Sequence, residues 1–455
     1  MPPRRPLPEV CLITVLKFLE PLDQLKASKM SPRLRMLVRA ANRRVKTLVI
    51  TNKDLTGTQK IINSFFISSR PNLQKLKDDC GGAIDIQPKA VRVSKWNSLV
   101  FSGSCQEDLP TVEEIATVLF SAVTSLVFIA NQPSWIIGFD EKCQYLVALL
   151  QYPPLHPHET TQLESLVLGL DGLFSSKKTR ASVTYKLVVA LNALTALQQL
   201  AVHFDFGYEY PDIPALTVLD QLKVLVLKLE WDKSFFLNSI GEQAAANVNL
   251  KIHLQGYSAE NLSKYIDDWP EPLLSRVVTL ETDENLFHRF PSLTSLSLPV
   301  DVPFSTNYGP LLALLSQQNR QLLHLEWRLD LNDQQNLDRS PTPPFQLTSV
   351  RALTLNLYID DHSQAEWLHL PRTLPNCQAI HLRDFYCKRC RVDLWKCLRG
   401  NFYTEDSEPT NSATVLQCLR DVLSKLYPYF QRQKITLGEV EPYRTAAELF
   451  AEPHE

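Results

Sequence analysis

The apolar positions of this chain recur in one short figure. An apolar residue is followed three places later by a second, and two places after that by a third. The figure appears as Val45-x-x-Leu48-x-Ile50, Trp96-x-x-Leu99-x-Phe101, Val123-x-x-Leu126-x-Phe128, Leu163-x-x-Leu166-x-Leu168, Leu197-x-x-Leu200-x-Val202 and Leu222-x-x-Leu225-x-Leu227. It returns as Leu293-x-x-Leu296-x-Leu298, Leu322-x-x-Leu325-x-Trp327, Val350-x-x-Leu353-x-Leu355 and Cys377-x-x-Ile380-x-Leu382. Weaker copies lie at Leu73/Leu76, Leu250/Ile252/Leu254, Val277/Leu280 and Ile435/Leu437. Alternating apolar residues predict a short strand with one buried face. The leading apolar residue packs beneath the chain as it turns into that strand. Many copies follow one another at 25 to 29 residues, and the long gap before Ile435 leaves room for a degenerate copy near 408.

Between the strands lie stretches of helical periodicity, at 112–123, 141–151, 185–194, 310–318 and 414–427. In the last, Val415, Leu416, Leu419, Val422, Leu423 and Leu426 fall on one face of a helix. A single strand–turn–helix unit cannot bury its apolar face alone, so units must stack into a continuous core. These segments resemble leucine-rich repeats of the long class, about 27 residues each. The family often places Asn or Cys three residues after the last motif apolar. Asn131 fits, whereas Asp171, Asp301 and Tyr358 depart from it. The resemblance implies an irregular α/β solenoid over residues 45–437. Residues on the open strand face would then meet a protein ligand: Lys228, Trp231, Arg328, Tyr358 and Arg383 first, with His203, Glu230, Glu326, Asn356 and His381 beside them.

The first 44 residues follow a different pattern. Pro8 suits a first helical turn. Ile13, Leu16 and Leu19 form an apolar stripe, Pro21 ends that helix, and Pro21-Leu22-Asp23 opens a second. A third, basic helix spans about 33–43. Three short helices make a very small core, which a partner would complete. The segment resembles the F-box. Leu7-Pro8-Glu9-Val10 matches its Leu-Pro opening, and Ile13, Leu16, Phe18 and Leu19 match its first-helix apolars. Pro21, Asp23 and Leu25 match its Pro-x-Asp-Leu turn, and Met30-Ser31-Pro32-Arg33-Leu34-Arg35 stands where the family has a Val-Ser-Lys-Arg-Trp-Arg type sequence. Leu34 replaces the usual aromatic, and Pro32 a Lys-type residue. The resemblance implies docking on the Skp-type adaptor of a cullin–RING ubiquitin ligase through Leu7, Pro8, Glu9, Ile13, Leu16, Leu19, Pro21 and Leu25. The chain would then be a non-catalytic substrate-recognition subunit of an SCF-type ligase, with cullin and RING subunits reached through the adaptor. The alternative is a repeat scaffold for protein interaction outside any ligase.

Composition sharpens this picture in three places. The 73 leucines among 455 residues fit a stacked core, and 44% hydrophobic with 21% charged describes a folded chain. Only 13 glycines occur, and neither G-x-x-x-x-G-K-[ST] nor G-x-G-x-x-G is present, which argues against phosphate-cradling enzymes. The net charge of −2 averages +8 over residues 1–46 with −10 over the rest, so the basic end expects acidic partners. The basic residues lack interleaved aromatics, so nucleic acid is not expected. No run of 18 apolar residues predicts a membrane span, and no signal peptide is expected. Nine cysteines without framework spacing suggest a reducing location, cytoplasmic or nuclear. Residues 438–455 are acidic and read as a tail of disordered composition.

The remaining candidate chemistry is slight. Cys387-Lys-Arg-Cys390, with Cys377, His381 and Cys397 nearby, has one zinc-type pair but no second. Cys377 holds a motif apolar position, which suits a small buried residue. No metal or other cofactor is expected. His156-Pro-His158-Glu159 and the prolines at 341–344 read as exposed insertions.

Overall fold

The computed structural model describes residues 8–53, 55–65, 91, 93–94, 97–102, 109–119, 123–131, 139–151, 163–171, 177–203, 214–228, 244–257, 262–263, 266–267, 269–282, 286–298, 315, 321–330, 346–359, 373–387, 392–393, 412–426, 435–438 and 444–445. The chain forms two compact units. One comprises Met1–Phe65, Ala90–Ile252 and Tyr265–Leu273, the other Phe66–Lys89, His253–Lys264 and Leu274–Glu455.

The first unit begins with three helices, α1 (Glu9–Phe18), α2 (Pro21–Met30) and α3 (Pro32–Asn42). Local sequence sets their ends. Pro21 and Pro32 occupy first-turn positions, where a missing N–H costs nothing. Ser31 caps α3 by accepting the Leu34 N–H at 3.1 Å. Pro32 therefore suits the third helix, although it departs from the F-box pattern. Leu16, Leu25, Leu37, Val38 and Ala41 form the small core.

Parallel strands follow: β1 (Thr47–Thr51), β2 (Ser98–Ser102), β3 (Ser125–Asn131), β4 (Ser165–Asp171), β5 (Gln199–His203) and β6 (Val224–Lys228). The central motif leucines stand side by side: Leu99, Leu48, Leu126, Leu166, Leu200 and Leu225 in spatial order. Helices Val112–Val118, Phe139–Gln151 and Lys177–Asn192 occur where periodicity predicts them, with shifted ends.

Two expectations fail here. Stacking in chain order would put β2 between β1 and β3, yet the spatial order is β2-β1-β3-β4-β5-β6. The strands were also expected to bury one face, yet Val49, Val127, Val167, Ala201 and Val226 on the other face are as buried as the leucines. One helix accounts for both. α4 (Leu55–Phe65) follows β1 and lies on the face opposite the leucines. Its Thr58 hydroxyl donates to Thr51 Oγ1 at 3.1 Å, and Thr51 shares a face with Val49. α4 also packs on β6. Four strand spacings separate β1 from β6, about 19 Å. Eleven helical residues span about 16 Å, so α4 reaches from β1 toward the far end of the valine row. β2, the next strand described after α4, pairs with β1 on the side away from β3.

In the second unit the parallel strands are β8 (Val277–Thr282), β9 (Ser295–Leu298), β10 (His324–Asp330), β11 (Ala352–Ile359), β12 (Ala379–Cys387) and β14 (Ile435–Leu437). β7 (Lys251–Tyr257) spans the division between the units. Leu280, Leu296, Leu325, Leu353, Ile380 and Ile435 align in register. β14 pairs directly with β12, so no strand from a copy near 408 stands between them. The helix Ser412–Leu426 occupies that part of the gap. β13 (Val392–Asp393) and β15 (Arg444–Thr445) add antiparallel edges. Arg444–Thr445 belongs to the segment read as a disordered tail, and pairing with β14 orders it. A bulge on β12 leaves Arg383 opposite no residue of β11.

Candidate functional site

The helical module presents two kinds of apolar residue. Leu16 and Leu25, both expected to dock, are each 5% exposed and face its core. Ile13, Leu19 and Pro21 are half-buried, and Pro8 and Glu9 exposed. Glu9 pairs with Arg33 at 3.3 Å. Leu7 lies outside the described residues. Val10, Val15 and Phe18, which the sequence reading passed over as docking residues, are 74%, 56% and 58% exposed. At 100° per residue they share one side of α1, opposite Leu16. Leu22, Met30 and Met36 are exposed as well. The signal was present in the sequence: α1 is apolar on both sides, and the module's small core faces only one of them.

The module is tied by polar contacts to the helix Val112–Val118. The Asn42 side-chain amide donates to Gln24 Oε1 (2.7 Å) and to the Val118 carbonyl (2.9 Å), and Arg39 Nε donates to the Thr117 carbonyl (3.1 Å). Lys29 bonds Glu114 and, with the Thr111 N–H, holds that carboxyl below the usual range.

The inner face of the second unit is polar. Ser295 and Thr354 bracket the His324 ring at 2.8 and 3.0 Å. His253 meets Thr279, and His381 meets Thr436, each at 2.9 Å. Glu326, 4% exposed, accepts from Ser297 Oγ (2.9 Å), from the Asn356 amide (3.4 Å) and from the bulge residue Arg383. Beside it Tyr358 donates to Asp384, and the Tyr358 and Tyr386 rings lie 6.3 Å apart.

This places most of the expected surface residues. Tyr358 and Arg383 come together on β11 and β12, half-exposed, with Asn356. Arg328 stands on β10 opposite Asn356. Lys228 and His203 end neighbouring strands of the first unit, half-exposed. Trp231 and Glu230 lie outside the described residues. Glu326 and His381 (2% exposed) were expected to face solvent and are buried instead, because side chains on adjacent strands close over them.

The cysteine constellation does not assemble among the described residues. Cys387 is buried at the end of β12, and Cys390 and Cys397 fall outside them. No group of three His, Cys, Asp or Glu residues there could hold a metal. The Cys377 thiol donates to the Ala379 carbonyl at 3.3 Å, and burial pushes its pKa up to about 12, so it is inert as a nucleophile near neutrality. Among the described residues no helix is long and apolar enough to cross a membrane. His156, His158 and the 341–344 prolines also lie outside them.

Residues 6–46 match the F-box domain. The chain thus carries a helical N-terminal F-box followed by parallel-strand α/β structure. No curated protein matches the sequence. Among solved structures, the chain is similar to the leucine-rich repeat-containing protein LegL7 from Legionella pneumophila. Identity there is 17% and the TM-score 0.35, over 71% of this chain and 96% of that one.

Proposed function

We propose that the chain is a substrate-recognition subunit of an SCF-type ubiquitin ligase. Helices α1 to α3 dock on a Skp-type adaptor and, through it, on cullin and RING subunits. The strand units, divergent leucine-rich repeats over residues 45–437, hold a protein substrate. The protein is not itself an enzyme. A separate conjugating enzyme transfers ubiquitin, and the assembly supplies proximity. Such a subunit works in the cytoplasm or nucleus.

One observation carries the reading: the F-box match coincides with a module whose first helix leaves Val10, Val15 and Phe18 exposed. Buried apolar anchors dominate interface energy, and basic charge speeds encounter with an acidic surface.

The test is co-purification with a Skp-type adaptor. Phe18→Asp and Val15→Asp are expected to abolish capture with the circular dichroism spectrum and melting temperature unchanged. Leu16→Asp would also abolish it, but by unfolding the module. A wild-type chain that captures no such adaptor is instead a repeat scaffold outside the ligase.

A further inference from the structure

Among the described residues, β2 is the last strand at the first unit's end of the sheet. β2 pairs with β1 on one side, and no strand among the described residues pairs with the other. The Thr47 N–H donates to the Asn97 carbonyl at 3.1 Å, which sets the phase of the ladder. Backbone groups alternate in direction along a strand. Leu99 and Phe101 therefore bond toward β1, while Ser98, Val100 and Ser102 face away. The Ser94 carbonyl takes the Ser98 N–H at 3.0 Å. The Val100 N–H and C=O point outward with no partner among the described residues.

A cleft of about 730 Å³ follows this edge. It touches Ser98, Leu99, Val100 and Ser102. Neighbouring side chains on a strand point to opposite faces, so a cleft that meets both kinds runs along the edge itself. Leu19 and Leu55 supply apolar wall. Lys17 and Arg44 stand at its rim, exposed and in no ion pair among the described residues, against the single carboxylate of Glu20.

We propose that this cleft binds an extended, acidic segment of a partner protein as an added strand on β2. The partner's backbone bonds the open Val100 N–H and C=O. Its apolar side chains meet Leu19 and Leu55, and its carboxylates meet Lys17 and Arg44. The site does not depend on the adaptor reading: Leu19 and Pro21 belong to both, but the strand edge at Val100 lies outside the face of α1 formed by Val10, Val15 and Phe18.

Fluorescence anisotropy of the full chain with a labelled decapeptide of alternating valine and glutamate tests this, against the same peptide with lysine for glutamate. The glutamate peptide should bind at least about tenfold more tightly than the lysine peptide. Val100→Pro removes the open N–H and leaves the β1 ladder intact, so it should weaken binding about tenfold or more. Arg44→Glu should do the same, and as an exposed substitution it carries the test if Val100→Pro loses its fold. Val100→Pro should leave adaptor capture unchanged. Equal affinity for the two peptides, binding of neither, or undiminished binding by the folded variants overturns the proposal. Peptide binding without adaptor capture overturns the ligase reading and leaves this one standing.

Discussion

The two units share one face and differ in the other. Both units turn a row of aligned leucines toward packed structure. On the opposite face the first unit carries Val49, Val127, Val167, Ala201 and Val226, and α4 lies over them. At the corresponding register the second unit carries Ser297, Glu326, Thr354, His381 and Thr436, joined to neighbours by side-chain hydrogen bonds. The leucine motif says nothing about this difference, because it specifies only one parity of each strand. The other parity decides whether the face is core or polar surface. The half-exposed residues Asn356, Tyr358, Arg383, Asp384 and Tyr386 gather on this face of the second unit.

The hardest way to break the comparison is to put a charge in each row. Val167→Asp places a carboxylate in a fully buried row and should cost more than about 4 kcal/mol. The first unit should lose its cooperative urea transition. Thr354→Val in the second unit removes only one partner of His324 and should cost about 1–3 kcal/mol. Equal tolerance at the two sites would show that the inner faces do not differ.

A second break removes the cover. Ile62 is fully buried on α4. Ile62→Ala should cost about 2–5 kcal/mol. In a Val167→Cys background maleimide should not label the new thiol until Ile62→Asp releases the helix. Labelling with α4 intact would mean that something else buries the valines.

How far these features were legible follows from what each residue pattern determines. Strand positions and register could be read because the motif leucine fixes parity, and one slip would turn every leucine outward. The F-box could be read from Leu-Pro, Pro-x-Asp-Leu and the apolar stripe. The place of β2 could not, because helical periodicity at 55–65 does not say which face of a sheet the helix covers. Leu16 and Phe18 look alike in sequence, and only the packing of α1 on α3 separates a buried residue from an exposed one. Glu326 and His381 were misplaced because their burial depends on Ser297, Arg383 and Thr436, which are distant in the chain.

A finer test concerns Glu326 and Arg383. Glu326→Met leaves the guanidinium half-buried without its carboxylate and should cost about 1–3 kcal/mol. Adding Arg383→Met should recover part of that loss, with a coupling of about 0.5–3 kcal/mol in a double-mutant cycle read by urea denaturation. Additive losses would show that the bulge aims Arg383 elsewhere in solution.

The smallest effect separates the units by pH. In the second unit burial raises the Cys377 thiol from 9.0 to about 12, and the backbone at Ala379 and Leu353 lowers it by less. In the first unit burial raises the Tyr145 hydroxyl, which donates to the Pro110 carbonyl at 2.7 Å, above its ordinary 10.0. Both groups stay neutral in the folded chain and ionise more readily in the unfolded one. Their contribution is full below the unfolded value and is lost as pH rises toward the folded one. The second unit should therefore begin to weaken near pH 9, and the first about one pH unit later. Hydrogen exchange of β12 and of Phe139–Gln151 across pH 8 to 11 reads the two separately, after correction for the intrinsic rate. Cys377→Ala should flatten the first onset and leave the second, and Tyr145→Phe should do the reverse. A single onset common to both segments, unmoved by either substitution, would mean that the units do not unfold independently.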